Sequence, residues 1–156
     1  MRSCVYHMRS MLRSLMALKK ILVVDDDPDV RLSLHVRLKI NNYDVILAGD
    51  GAASIAEARK HMPDLIILDL GLPAGDGFSV LERLKASDSL SIIPVIIVTG
   101  RTRVPNRDWA LKAGAIAFLQ KPVDNARLLS LIRHEFGERV DFSSVGWEMG
   151  DRDPLN

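Results

Sequence analysis

The sequence predicts an α/β fold in which a parallel β-sheet is flanked by helices. Five short runs are apolar without alternating polar residues, at positions 21–24, 45–47, 65–68, 95–98 and 116–119. Such runs are typical of strands that are buried on both faces, as in a parallel sheet. The segments between them are long enough for the crossover helices that parallel strands require. Five successive β-α units follow from this pattern.

The first helix has an ambiguous pattern. Its apolar residues alternate with polar ones, and this pattern taken alone is typical of a half-buried strand. The apolar residues are Val30, Leu32, Leu34, Val36, Leu38 and Ile40. Three observations favour a helix. Asp27 and Pro28 form an N-cap and first-turn pair; Val30, Leu34 and Leu38 share one helical face; and a crossover is needed here.

The other four helices have clearer boundaries. The second is predicted over 52–61, before Pro63, and the third follows Gly77. The fourth is a short helix over 106–113. The fifth begins near Asp124 and ends at Gly137. In the third helix we expect Phe78, Val80, Leu81 and Leu84 to be buried. In the fourth the buried residues should be Trp109, Ala110 and Ala113, and in the fifth Ala126, Leu128, Leu129, Ile132 and Phe136.

Composition limits the class of protein. A chain of 156 residues suits a single domain. The net charge of +1 argues against a dedicated nucleic-acid binder, which usually carries a basic excess. A single cysteine, Cys4, excludes an intrachain disulfide. No apolar run approaches the roughly 20 residues of a membrane-spanning helix, so we expect no stable membrane insertion and a cytoplasmic location.

Two terminal segments lie outside the β-α pattern. Residues 1–18 contain bases and no acid, and Met8, Met11 or Leu12, and Leu15 recur at helical spacing. They are open to two interpretations: a flexible leader or over-extended start, or a basic amphipathic helix that contacts a membrane or a partner. Residues 138–156 form a C-terminal tail that is too short for an independent domain. The foldable domain is therefore expected over 19–137.

Polar residues gather where the predicted strands end. Ligands bind at the carboxyl ends of the strands in an open parallel α/β sheet. The residues at these ends are Asp25, Asp26 and Asp27 after strand one, Asp69 after strand three, Thr99 and Gly100 after strand four, and Lys121 and Pro122 after strand five. Clustered carboxylates repel one another, and a divalent cation removes that repulsion. Oxygen ligands with few carboxylates suit Mg²⁺, which retains waters and binds phosphate oxygens.

The motifs that carry these residues resemble those of response-regulator receiver domains. They are ILVVDDDP (21–28), PDLIILDLGLP (63–73), Asp-Gly (76–77), VIIVTG (95–100) and AFLQKP (117–122). The resemblance covers about residues 19–137. It implies a flavodoxin-like, five-stranded parallel sheet in the order 2-1-3-4-5 with five flanking helices.

The resemblance also implies roles for the acidic residues. Asp69 would be the phosphoacceptor. Asp26, Asp69 and the backbone carbonyl of Gly71 would bind Mg²⁺ directly, and Asp25 would bind it through water. The protein would then catalyse only its own phosphorylation and dephosphorylation, and would not be an enzyme acting on other substrates.

The remaining motif residues would act on the phosphoryl group. Lys121, aimed by a cis peptide bond to Pro122, would neutralise its charge. Thr99 would donate its hydroxyl to a phosphoryl oxygen, and Gly100 would leave room for the donor. Phe118, at the position of an aromatic switch residue, has a second interpretation as an ordinary core residue.

The implied partners are proteins. The phosphodonor would be a sensor histidine kinase or a phosphotransfer protein. A downstream target would bind the face formed by helix four, strand five and helix five. Two copies of the chain could also pair as a homodimer. Gly71 and Arg101 occupy positions that tune hydrolysis of the aspartyl phosphate, so the phosphoryl lifetime is left open. The stretch 101–107 is expected to be a basic loop, which either is simply solvated or docks an acidic partner.

Three alternative functions share part of this residue pattern. A haloacid-dehalogenase-like phosphatase also uses an aspartyl nucleophile, a lysine and Mg²⁺, but needs a second acidic pair where this chain has only Asp124. A phosphorylation-independent binding module of the same fold would typically lack the acceptor or the lysine. The chain could also be the receiver part of a longer transcription factor, but no DNA-binding output segment is recognised after residue 137, so we expect a stand-alone regulator.

Overall fold

A computed structural model describes residues 17–73, 77–100 and 104–138 of the chain. The predictions for the leader before residue 17, for Asp76, for Arg101 and for the tail after residue 138 lie outside these residues. Within them, the predicted α/β class is confirmed.

Five parallel strands form one sheet. Their bounds are β1 Lys20–Val24, β2 Asp44–Ala48, β3 Leu65–Leu68, β4 Val95–Thr99 and β5 Ala117–Gln120. The strand order is β2-β1-β3-β4-β5, as the resemblance implies. The last strand begins one residue later than predicted because Ile116 is 38% exposed and precedes the ladder. The central strands β1, β3 and β4 are almost entirely buried, which explains their continuous apolar sequence.

Five helices cover the two faces of the sheet. Their bounds are α1 Pro28–Ile40, α2 Gly51–His61, α3 Gly77–Ala86, α4 Val104–Lys112 and α5 Asn125–Glu135. Helices α1 and α5 pack on one face and α2, α3 and α4 on the other, so each face has its own apolar core. All five helices are close to their predicted positions.

Helix α1 resolves its ambiguous pattern. The Asp27 carboxylate caps it by accepting from the Asp29 backbone N–H at 2.9 Å. Leu34 and Leu38 are buried against the sheet. Val30 is partly buried against the same core. The remaining three apolar residues of the alternating series point outward: Leu32 is 60% exposed, Val36 49% and Ile40 74%. Residues two apart on a helix differ by about 200°, so an alternating series occupies two sides of it.

Two details of the last helices differ from the predictions. Ala126 is exposed and not buried, because the inward face of α5 is formed by Leu128, Ser130 and Ile132. Helix α4 begins at Val104, two residues before its predicted start, so Arg107 lies in this helix, as the predicted range 106–113 implies, and not in the basic loop predicted over 101–107. Gly137 has a φ of 69°, which is consistent with its predicted place just past the end of α5.

Within the described ranges, none of the helices combines the length and apolar character needed to cross a membrane.

Candidate functional site

The register of the central strands brings Asp25 and Asp69 together. Val24 of β1 is the partner of Leu68 of β3, so the residue after each strand emerges at the same level. The Asp69 N–H donates to the Val24 carbonyl at 2.9 Å, and the Asp25 N–H donates to Ala48 at 3.2 Å. These bonds continue the ladder past the last strand residue, which fixes both carboxylates at the carboxyl edge of the sheet.

Lys121 reaches the same point from the far edge of the sheet. Its backbone N–H donates to the Thr99 carbonyl at 2.9 Å, which extends the β4–β5 pairing. Its Nζ lies 2.6 Å from Asp25 Oδ2 and 3.1 Å from Asp69 Oδ2. The side chains of the two aspartates are only 4% and 7% exposed. One ammonium group therefore bridges two buried carboxylates that are 44 positions apart in the chain.

The second oxygen of each aspartate accepts from the backbone. The Asp27 N–H donates to Asp25 Oδ1 at 2.9 Å, and the Gly71 N–H donates to Asp69 Oδ1 at 2.8 Å. Each carboxylate is thus held by one backbone donor and by Lys121. Bonds from two directions fix the orientation of a carboxylate before any ligand binds.

The buried cluster changes the acidity of its members. Burial is the main influence on Asp25 and raises the pKa of its carboxyl, although the hydrogen bonds from Lys121 and Asp27 oppose this effect. Burial alone would lower the pKa of Lys121, but its hydrogen bonds to Asp25 and Asp69 and their charges together raise it. Lys121 consequently remains a cation at neutral pH.

A third carboxylate completes an oxygen-rich group. Oxygen atoms of Asp25, Asp26 and Asp69 lie within 4.8 Å of one another, and Asp26 is exposed. Three carboxylates with one lysine, which contacts two of them, leave a net negative charge at a partly open position. The residues fit a hard divalent cation such as Mg²⁺, which binds a few carboxylates and keeps water on its open side. The Gly71 carbonyl as a further ligand stays a prediction.

The remaining predicted site residues lie around this cluster. Thr99 is fully buried at the end of β4, and the Lys121–Pro122 peptide bond is cis. No atom lies within 4 Å of the position that a Cβ at Gly100 would occupy, so this residue borders open space. Phe118 pairs with Ile97 and packs, partly buried, against the core on the α2, α3 and α4 side of the sheet. Its role as a switch stays a prediction.

The structure gives a place in the site to two residues: Gly77, which sequence reasoning named only within a motif and before the third helix, and Arg31, which it did not name. A Cβ at Gly77 would lie 2.2 Å from the Asp69 carbonyl oxygen and 2.5 Å from Leu70 Cα, so only glycine allows α3 to start this close to the Asp69 backbone. The sequence signal was a glycine as the first residue of a helix. Arg31 Nη1 donates to the Asp25 carbonyl at 2.6 Å. Nothing in the local sequence distinguishes this arginine from a solvated one.

A buried acidic cluster, a bridging lysine and the 2-1-3-4-5 sheet are features of receiver domains in two-component signalling. The chain belongs to this family: residues 21–133 match the response regulator receiver domain. Receiver domains are phosphorylation-activated signalling switches that interact with histidine kinases or phosphotransfer proteins and bind Mg²⁺ at their acidic site.

Individual relatives are similar over the same region. The transcriptional regulatory protein PrrA of Mycobacterium tuberculosis is 39% identical over 114 residues, which are 73% of this chain and 48% of PrrA. The chain thus matches about half the length of this relative. Protein PilH of Pseudomonas aeruginosa is 35% identical over 72% of this chain and 93% of its own length.

One solved structure bears on the metal. The receiver domain of the sensor histidine kinase PA1611 from Pseudomonas aeruginosa is 29% identical, with a TM-score of 0.71 over 78% of this chain and all of that domain. It was solved with a magnesium ion coordinated in its active site cleft.

Proposed function

We propose that this protein is a signalling switch that is controlled by phosphorylation of Asp69. The observation that carries the proposal is the pair of bonds from Lys121 to Asp25 and Asp69, beside the exposed carboxylate of Asp26. A purely structural ion pair needs one acid. Two acids bonded to one lysine, with a third acid beside them, form a charge arrangement that is incomplete without a cation and suited to a phosphoryl group.

The proposed reaction is a transfer of a phosphoryl group from a histidine. A carboxylate oxygen of Asp69 attacks the phosphorus, an O–P bond forms, and the P–N bond to the donor histidine breaks with its electron pair left on nitrogen. Lys121 exchanges its bond to Asp69 for one to a phosphoryl oxygen and neutralises its charge. Mg²⁺, held by Asp26, Asp69 and the Gly71 carbonyl, with Asp25 acting through water, would supply further positive charge for the phosphoryl oxygens.

The proposed output is a change of the protein-binding surface. Thr99 donates its hydroxyl to the bound phosphoryl group, and Phe118, one strand away, adjusts its packing in response. The group biases an element with two packing states, which is the physical requirement for a switch. The face of α4, β5 and α5 then binds a downstream protein or a second copy of the chain.

We further propose a division of the chain and a location. Residues 19–137 form the receiver domain, and residues 1–18 and 138–156 are accessory segments. The protein acts in the cytoplasm, where kinases have access to ATP, and through protein contacts.

Intact-mass measurement tests the chemistry. The protein is incubated with a small phosphodonor and Mg²⁺, and the wild type is compared with Asp69→Asn. Asp88→Asn, which changes an exposed aspartate away from the cluster, is the matched control. The proposal expects one added phosphoryl group on the wild type and on the control, and none on Asp69→Asn.

Beryllofluoride separates the ways in which this experiment could give a negative result. Beryllofluoride binding without a gain in mass would indicate rapid hydrolysis or a strict donor preference, with the site intact. If neither group binds, the phosphorylation proposal is wrong and the chain acts as a phosphorylation-independent binding module.

A further inference from the structure

The outer face of α1 is an apolar surface beside the acidic site. Leu32, Val36 and Ile40 are 60%, 49% and 74% exposed, and they recur every four residues along the whole helix. Together with Leu129 of α5 they line an open groove of about 610 Å³ between the two helices. Three large aliphatic side chains in one row on a 13-residue helix indicate a contact surface.

The upper end of this groove is acidic. Asp26, Asp27 and Asp29, at the start of α1, are all exposed, and Asp29 lines the groove itself. An occupant of the groove should therefore combine an apolar face with positive charge near this end.

The first described residues of the chain lie at the opposite, lower end of the groove. The Lys19 carbonyl accepts from the Asp44 N–H at 2.9 Å, and its ammonium lies 5.6 Å from the centre of the Phe136 ring, at the end of α5. Nearby, Arg133 Nη2 donates to Asn41 Oδ1 at 2.9 Å and joins α5 to the end of α1. The basic leader that precedes residue 17 thus starts directly below the groove.

The leader has the composition that the groove requires. Val5, Met8, Leu12 and Leu15 follow a three-four-three spacing, which would place them on one face of a helix. Three arginines, at positions 2, 9 and 13, are present with no acid in residues 1–16. The C-terminal tail is a poorer occupant, because residues 139–156 contain four acids against two bases.

Length and direction also agree. Helix α1 has 13 residues and is about 20 Å long at 1.5 Å per residue. A helical leader that runs up the groove from Ala17 needs the same 13 residues to reach Cys4. Arg2 would then lie beside the exposed aspartates at the start of α1.

We propose that residues 1–16 dock as a basic amphipathic helix in the groove between α1 and α5 of the same chain. The apolar face of the leader covers Leu32, Val36 and Ile40, and Arg2 lies at the acidic end of α1. The docking does not depend on the phosphorylation of Asp69.

The lone cysteine allows a direct test in the full-length chain. A nitroxide is attached to Cys4, and the broadening of backbone amide signals is compared between the paramagnetic and reduced states. Docking predicts the strongest broadening near Asp29 and Leu32, weaker broadening near Asn41, and none in α3 on the other face of the sheet. A leader that does not dock gives the reverse order, because Asn41 lies closest to the point where the leader begins.

Two variants test the two apolar surfaces of the proposed contact. Replacing Met8, Leu12 and Leu15 with serine keeps the charge and the label but removes the apolar face, and should abolish the broadening near Asp29. Leu32→Ser with Val36→Ser changes exposed side chains of the groove and should do the same, with the far-ultraviolet spectrum unchanged.

Besides that reversed order of broadening, three further results would overturn the proposal. The first is broadening near Asp29 that both variants leave intact. The second comes from a mixture in which the observed, isotope-labelled protein is Cys4→Ser and the spin label is on a second, unenriched protein. The same broadening in this mixture would assign the groove to a second copy of the chain. The third is a shift of the α1 signals on Trp147→Ser, with no broadening from Cys4, which would assign it to the tail.

Discussion

The close approach of Gly77 to Asp69 makes Gly77→Ala the most informative single substitution. The added Cβ would lie 2.2 Å from the Asp69 carbonyl oxygen and 2.5 Å from Leu70 Cα, whereas ordinary contacts begin at 3.4 Å. Both neighbours are backbone atoms, so no flexible side chain can yield. The start of α3 and the segment that carries the proposed phosphoacceptor must separate by about 1 Å.

Two opposing contributions set the size of the effect. Overpacking of this kind costs about 1–3 kcal/mol. The better helix propensity of alanine recovers at most about 1 kcal/mol in a helix interior and less at a first residue. We therefore expect the free energy of unfolding to fall by about 2 kcal/mol, the balance of these two contributions. With a urea dependence of roughly 2 kcal/mol per molar, the unfolding midpoint falls by about 1 M.

Gly100→Ala is the matched control at the same edge of the sheet. No atom lies within 4 Å of its added Cβ, so the free energy of unfolding should stay within about 0.5 kcal/mol of the wild-type value. Urea unfolding followed by circular dichroism compares the three proteins, and the intact-mass assay adds their rates of phosphorylation. Gly77→Ala should also be phosphorylated more slowly, because the Asp69 backbone must move. If Gly77→Ala is as stable as Gly100→Ala, the argument from close packing is wrong.

Two further predictions concern buried polar groups. Lys121→Met leaves Asp25 and Asp69 without their shared cation, and should destabilise the protein by about 3 kcal/mol in chelator, with part of the loss restored by Mg²⁺; equal urea midpoints for variant and wild type would contradict this. Burial and the nearby Glu138, whose carboxylate accepts from the Tyr43 hydroxyl at 3.2 Å, raise the pKa of Tyr43 from 10.0 to about 12. The folded state therefore disfavours the phenolate, and the stability from this difference is present below pH 10 and lost as the pH rises towards 12. The wild type should lose stability more steeply than Tyr43→Phe over that range, and parallel denaturation curves for the two proteins would refute this assignment.

The architecture could be predicted from local patterns. The continuous apolar runs reflect burial on both faces, and this constraint acts on each strand separately, so it is visible in the sequence. Parallel strands place their carboxyl ends at one edge, so Asp25, Asp26, Asp69 and Lys121 could be expected to meet before any contact was known. Their sequence positions and the chemistry of carboxylates were enough to suggest a cation site.

The tertiary structure decided what depends on distant residues. In α1 the sequence contains two interleaved apolar rows, and only packing against the sheet shows that Leu34 and Leu38 lie inside while Leu32 lies outside. The contact of Gly77 with the Asp69 backbone and the bond from Arg31 to the Asp25 carbonyl likewise join separate elements. Local sequence determined this protein's elements and the edge at which its polar residues gather, because both follow from burial and chain direction. The packed structure was needed to show which side chains meet at that edge and which helix face is left exposed. Contacts between residues far apart in the chain leave no periodic pattern in the sequence.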